Sequence, residues 1–541
     1  WEGREVLGMR LTWDKRYITL APIATVLGLA FKLRDPERLL GGEEDLGITC
    51  ALIPTSTRGV EHGERHDPLG VPFMNGPTRG VDVFVPLDFI IGGPKQAGRG
   101  WVMLMQCLAA GRGVSLPALA AGASQLSTRV VGAYATVREQ FGMPIGRFEG
   151  IEARLGRIAG LTYAIDAARA LTLGALDAGE KPAVITAIMK AYTTEAMRVV
   201  VNDAMDVVGG AGICRGPRNV LASAYQSTPI GITVEGANIL TRSMIIFGQG
   251  AIRCHPWVQD ELAAAEKNDL EGFDRAFWGH VGLVFTNLAR SLVLGACDGA
   301  LASNPVNGPA GPYFQKLARY SAAFSFSADV AMGTLGASLK RKENLSGRLA
   351  DALAWLYIGS AVAKRFVDEG QLERDLPAFR WAMQHALYEI EHALVGLIDN
   401  LPLRPVAFGL KLALFPLGAR AKPPSDRTTS QLARAILDDG AARLALTPSI
   451  FVPEPHEAGL GFLEGTLDKV LESREARERI KEAQKRQILP RGPAAGLVRQ
   501  ALDKSVITQR EAELLRSAEA SRDAAVQVDA FAPDVLAPDP S

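Results

Sequence analysis

LGRIAGLTYAI, Leu155–Ile165, decides how this chain reads. Leu155, Ile158, Thr162 and Ile165 recur at intervals of three and four, which lines them up on one face of a helix and excludes the two-residue alternation of a half-buried strand. The segment stops at Asp177-Ala-Gly-Glu-Lys-Pro182, with the glycine and proline expected after a helix. A second helical pattern runs from Ala183 through Met197 and Val200 to Gly209-Gly210, and a third helix opens after Glu235.

Upstream the period differs. From Trp1 to about Ile91 the text holds short β-rich runs, RYITL, ITCALIP and VDVFVPL, broken by Gly, Pro and Asp at the spacing of a small sheet or barrel. The fold class expected is therefore α+β and multi-domain: a small β piece over 1–95, an antiparallel helical bundle over 96–251, and an all-α extension over 252–541. Ser303–Pro312 and Leu414–Asp426 read as linkers, Leu471–Arg486 as a solvated helix laced with i,i+4 pairs, and the Pro-rich tail from about Val528 as disordered. The chain enters mid-pattern at Trp1, so an absent amino-terminal portion is expected.

The 541 residues balance 59 Lys plus Arg against 59 Asp plus Glu, which gives no general attraction to nucleic acid or an anionic surface. Five scattered cysteines without a C-x-x-C pair fit a reducing cytoplasm. The longest apolar stretch, Ile18–Phe31, is too short to span a bilayer. Ala407–Lys422, apolar with flanking cations, reads as ordinary core, with weak peripheral contact at the inner membrane as the alternative. His62 and His66 sit in a loop without a visible third ligand, so no metal site is expected; Cys107 with Met103 and Met105 reads as core.

One carboxylate stands out. In TVEGANILTR, Thr233–Arg242, Glu235 lies where an apolar, strand-like run gives way to a helix. A carboxylate in a first helical turn complements the macrodipole and needs no further role. Flanked by Ile232, Val234, Ile239 and Leu240, it is also poorly solvated, the setting in which a general base works.

Four segments, in this order, resemble the acyl-CoA dehydrogenase family: RYIT at Arg16–Thr19, VREQFGMPIGRFEGIEARLGRIA at Val137–Ala159, MDVVGGAGI at Met205–Ile213 and ITVEGANILTRS at Ile232–Ser243. With GQGAIRCHP at Gly248–Pro256 and the long helical remainder, the likeness is greatest to the long bacterial FadE-type enzymes. The resemblance implies FAD, a fatty acyl-CoA substrate desaturated at its α,β bond, Glu235 as catalytic base, and the first step of fatty-acid β-oxidation with long-chain substrates. It implies Tyr17 and Thr19 beside the flavin, Arg138 reaching the FAD pyrophosphate of a neighbouring subunit, and Phe141 near the flavin, with core packing as the alternative. Gly209, Gly210 and Gly236 let backbone approach cofactor or thioester, and Gly236 with Glu235 holds the substrate carbonyl. Arg112, next to Gly111 where some relatives carry their base, orders the substrate pocket or caps a loop. Asp206 stands where the family has Gln and would repel a pyrophosphate unless paired or turned away. A homo-oligomer and an electron-transfer flavoprotein acceptor are implied as well. An acyl-CoA oxidase using O2 and a catalytically silent helical scaffold remain as alternatives.

Overall fold

The computed structural model describes residues 1–250, 254–438 and 440–536. The chain divides into two compact units, Trp1–Arg112 and Gly113–Ser541.

The first unit is built on two antiparallel sheets. β1 (Gly8–Thr19) pairs with β5 (Asn75–Pro86), which also pairs with the short β4 (Val60–His62); β2 (Val26–Arg34) and β3 (Asp45–Pro54) form a hairpin. Alternation along GMRLTW turns Met9, Leu11 and Trp13 inward, where they meet Leu27, Leu29, Ile53, Val83 and Val85 in one apolar core. Register slips in β1 between Leu11 and Trp13 and again between Lys15 and Ile18. The second irregularity places Tyr17 at φ 55 and re-aims the strand's last residues.

The second unit is helical. α1 (Gly100–Val137), within which the unit boundary falls, is followed by a two-residue hairpin, β6 (Glu139–Gln140) and β7 (Met143–Pro144). α2 (Glu149–Asp177) and α3 (Ala183–Val208) follow with the limits their periodicity requires. α4 (Ala222–Thr233) then leads to α5, which opens as Asn238–Leu240 and continues as a π-helix over Thr241–Gln249. The strand-like reading of the run before Glu235 is corrected here: Ile230–Thr233 ends a helix. Tertiary packing decides, since Thr228 and Gly231 of α4 are buried and Gly231 lies against Leu119, Met197 and Thr194.

Beyond residue 253 come α6 (Val258–Glu266), α7 (Leu270–Ala296), α8 (Gly311–Leu335), α9 (Glu343–Asp368), α10 (Leu376–Asn400), α11 (Arg404–Leu414) and α12 (Asp426–Asp438). The sequence start expected for the extension, Ile252, lies outside the described residues. All of these but α6 share one core with α2. Its buried residues Leu155, Ile158, Leu161 and Tyr163 meet Leu356, Phe379, Trp381 and Leu432, and two glycines set the spacing. A Cβ on Gly156 would press on Thr429 of α12, and one on Gly160 would fall inside the Trp381 indole of α10. Arg434 of α12 adds a 2.8 Å ion pair to the buried Glu152, and Arg365 of α9 one of 3.1 Å to Asp166.

Other expectations fare unevenly. Ser303–Ala310 and Phe415–Ser425 are loops between packed helices of this unit. Arg474–Lys485 is helical, but it buries Ala476, Ile480 and Ala483 along one face. Cys107 is exposed, which overturns its assignment to core; the side chain of Met105 is outside the described residues. In α11 Ala407, Leu410 and Ala413 are buried while Phe408 is exposed. No helix among the described residues is long and apolar enough to cross a membrane. The tail is tied down at Asp529, whose Oδ2 accepts the Arg218 backbone N–H at 2.8 Å; residues 537–541 lie outside the description.

Two outcomes test this packing. Gly160→Ala, a change that favours an ordinary helix, should destabilise this one by about 2 kcal/mol through overpacking against Trp381, read from urea unfolding. His385, on α10, stacks between Trp355 and Trp381, with ring centroids 4.8 and 5.1 Å away. Burial, helped by the Arg157 guanidinium, holds its imidazole down at about 4 instead of the usual 6.5. A depressed folded value means stability is fully present above about 6.5 and is lost as pH falls toward 4, by up to about 3 kcal/mol. His385→Phe should flatten the pH dependence of unfolding in that window relative to the unsubstituted chain.

Candidate active site

The turn Val234–Ala237 between α4 and α5 carries the sequence's strongest candidate, and a buried lysine shapes it. Lys190 of α3 is fully buried. Its ammonium donates to Ile232 O at 3.0 Å, Gly236 O at 2.7 Å and Asn238 Oδ1 at 2.7 Å. Three N–H donors thus meet three oxygens on both sides of Glu235. Asn238 passes the contact on, its Nδ2 donating to Thr194 Oγ1 at 2.9 Å and Glu195 Oε1 at 3.0 Å. Within this clamp Glu235 adopts φ 55 and Gly236 φ 97. A left-handed backbone is routine for glycine and costs a glutamate about 1 kcal/mol or more, so the surrounding contacts must hold it there. The Glu235 side chain is half-buried and its Oε2 has no solvent exposure.

The π-helical part of α5 is anchored from the far side. Arg242 makes a two-pronged pair with Asp351 of α9, at 2.7 and 2.6 Å, and the Tyr192 hydroxyl donates to the same carboxylate at 2.6 Å. Burial holds the Tyr192 phenol well above its usual range, and the bond to Asp351 raises Arg242, so both keep their protons. Ser346 Oγ donates to Ser243 O at 2.6 Å, taking up a carbonyl in the π segment.

Arg138 sits just past the end of α1, where its N–H donates to Tyr134 O at 2.8 Å and its O accepts from Ile145 N at 2.9 Å. The Tyr134 phenol is raised by burial, against the opposing pull of the Arg138 guanidinium that hydrogen-bonds it. The hairpin tip holds Phe141 at φ 52 and Gly142 at φ 79, the paired positive values of a two-residue turn. Phe141 is 95% exposed, which overturns the core-packing alternative for it. Gly209 ends α3 at φ 65, and the space a Cβ would occupy on Gly209 or Gly210 is open. Tyr134 on one side and Val208 with Ala211 on the other line one cleft, so the Arg138 and double-glycine segments come together. Asp206 is exposed.

Arg112 is buried inside α1, with Gly111 and Gly113 helical on either side, so the loop-capping alternative is withdrawn. Tyr17 and Thr19 are both exposed at the end of β1 in the first unit, the Tyr17 ring 5.5 Å from that of His66. His62 Nδ1 bonds Ala21 O at 2.9 Å. Lys190 and Asn238 went unnoticed in the sequence, although a signal existed: Lys190 falls in the buried stripe of α3 with Ala187, Thr194, Met197 and Val201. A lysine there needs partners.

Residues 98–249 match the family profile "Acyl-CoA dehydrogenase, C-terminal domain", and residues 252–531 match "Acyl-CoA dehydrogenase, C-terminal, bacterial type". The chain belongs to the acyl-CoA dehydrogenase family, flavoprotein oxidoreductases that use FAD. It is 27% identical over 330 residues to the "Probable acyl-CoA dehydrogenase FadE10" of Mycobacterium tuberculosis, covering 59% of this chain and 49% of that one. It is 62% identical over 104 residues to "Protein HemX" of Proteus mirabilis, 19% of this chain and 61% of that one. The chain thus spans between about half and three-fifths of these relatives' length. In fold it is similar to the Bacillus anthracis acyl-CoA dehydrogenase complexed with FAD, with a TM-score of 0.61 and 18% identity over 80% of this chain and 71% of that one.

Lys190→Met should strand the oxygens of Ile232, Gly236 and Asn238 and cost about 3 kcal/mol in urea unfolding, while a surface Lys→Met control such as Lys267→Met stays within about 0.5 kcal/mol.

Proposed function

We propose that the complete protein carries out FAD-dependent α,β-dehydrogenation of a long-chain fatty acyl-CoA, the opening step of fatty-acid β-oxidation, with Glu235 as base. The observation that carries this reading is the Lys190 clamp: it holds a carboxylate in a left-handed turn with one oxygen out of water. The α-C–H of a thioester is a feeble acid. Removing its proton requires a base in a dry site and donors on the thioester carbonyl. Glu235 accepts that proton, and its own backbone N–H, in the turn with Gly236, holds the carbonyl oxygen. The electrons of the α-C–H bond become the new double bond as a hydride leaves the β-carbon. FAD, when bound, supplies the acceptor for that hydride.

The residues present fit such a cofactor. Gly209 and Gly210 present backbone with open space above it, Arg138 hydrogen-bonds the Tyr134 that lines the neighbouring cleft and offers a cation suited to a pyrophosphate, and Phe141 offers an exposed ring two residues from the hairpin's start. Asp206, facing solvent, offers no repulsion from within the cleft. Tyr17 and Thr19 present exposed polar and aromatic groups for the flavin's edge, and Arg112 orders the substrate pocket. An Arg138 that serves a neighbouring subunit's FAD makes the working form a homodimer. Electrons then pass to an electron-transfer flavoprotein, in the cytoplasm.

Anaerobic titration of the full-length flavoprotein with acyl-CoAs of graded length should bleach the flavin, with long chains most effective. Glu235→Gln should slow bleaching by about 1,000-fold. An unchanged rate in that variant would remove Glu235 from the chemistry. Rapid reoxidation in air with peroxide release would turn the assignment to an oxidase.

A further inference from the structure

Far along the chain from Glu235, three helices of the second unit place unusual chemistry together. His255, just before α6, His280 on α7 and Asp329 on α8 bring their ligand atoms within 4.8 Å of one another. Each imidazole is oriented by its other nitrogen. His255 Nδ1 accepts the backbone N–H groups of Trp257 and Val258, both at 3.2 Å, so its proton is on Nε2, which donates to Asp329 Oδ1 at 3.0 Å. His280 Nδ1 donates to Glu261 Oε1 of α6 at 2.9 Å, and its Nε2 faces Asp329 Oδ1 at 3.7 Å. The second oxygen, Asp329 Oδ2, is buried with no hydrogen-bond partner.

The charge balance is incomplete. The Asp329 and Glu261 side chains are only 4% and 17% exposed, and among the described residues their ion-pair partners are the two histidines. Buried carboxylates left without a cation are costly even after relaxation. A lone pair on His280 Nε2 aimed at a carboxylate oxygen is repulsive unless something positive stands between them.

We propose that this cluster binds a divalent transition metal of the zinc class, ligated by His280 Nε2 and the Asp329 carboxylate. Glu261 fixes the His280 tautomer and His255 fixes the Asp329 carboxylate, the outer hydrogen bonds that metal ligands of these types require. Both ligands lie on the wall of a cavity of about 650 Å³ whose other lining includes Phe247, Leu262, Phe277 and Phe285, with Lys340 also lining it. Two protein ligands leave coordination positions open toward that cavity for water or an entering donor. An imidazole and a carboxylate together favour zinc and its neighbours over magnesium. The ion ties α7 to α8 directly, and α6 through the Glu261–His280 bond.

The test uses the full-length flavoprotein, stripped with a chelator and titrated calorimetrically with Zn2+, with Mg2+ as control and Co2+ as a spectroscopic reporter. The expected result is one Zn2+ per chain, no Mg2+ binding, and a Co2+ visible band displaced by Zn2+. His280→Gln and Asp329→Asn should each weaken Zn2+ by about 100-fold or more, and His255→Asn by about 10- to 100-fold. No saturable Zn2+ site in the unsubstituted protein overturns the proposal and leaves His280 as an imidazolium clamped by two carboxylates. Equal Zn2+ affinity in a folded His280→Gln or Asp329→Asn chain overturns it too. Should neither variant fold, the Co2+ titration of the unsubstituted protein decides: an imidazole-ligated band at one equivalent supports the site, and its absence refutes it.

Discussion

A fully buried ammonium group organises the turn that carries Glu235. Lys190 reaches from the middle of α3 to the end of α4, the turn and the start of α5, where Ile232 O, Gly236 O and Asn238 Oδ1 accept from its ammonium. Burying a lysine is expensive unless every donor is matched, and the match here ties three segments to one point. The strain of a left-handed glutamate is tolerated because the turn has little freedom to relax. Arg242 and Ser346 then hold α5 from the opposite side, against α9.

How much of this was written in the residues differs from element to element. α2 and α3 announce themselves because their apolar spacing matches 3.6 residues per turn over many turns and a Gly/Pro stop closes each. The run Ile230–Val234 misleads for the opposite reason: β-branched residues crowd a stretch too short to show a period, and burial against α3 overrides their local preference. Glu235 could be picked out by its apolar flanks and by its likeness to a known signature. Its backbone conformation could not, since that follows from a lysine more than forty positions upstream. Phe141 shows the converse limit: sequence marks an aromatic residue, but only the hairpin geometry reveals that the ring is exposed, with Phe148 edge-on to it at 6.1 Å.

The same reasoning applies to the histidine cluster. His255, His280 and Asp329 are spread over some 75 positions, on three elements, with no short-range spacing that a reader of the sequence would test. Spatial convergence of helices α6, α7 and α8 creates the donor set. By contrast His62 and His66, four apart and superficially suggestive, turn to separate partners, Ala21 and Tyr17.

The glycine seam on α2 bears on how such a chain can change over time. Because Trp381 and Thr429 of the carboxy-terminal helices press directly on the backbone at Gly160 and Gly156, the later helices complete the interior of the earlier bundle instead of resting on its surface. Shedding them would expose a broad oily face, so recombination that exchanges one half for a cousin's must carry both sides of the seam along. The two regions are thereby bound to a shared evolutionary fate.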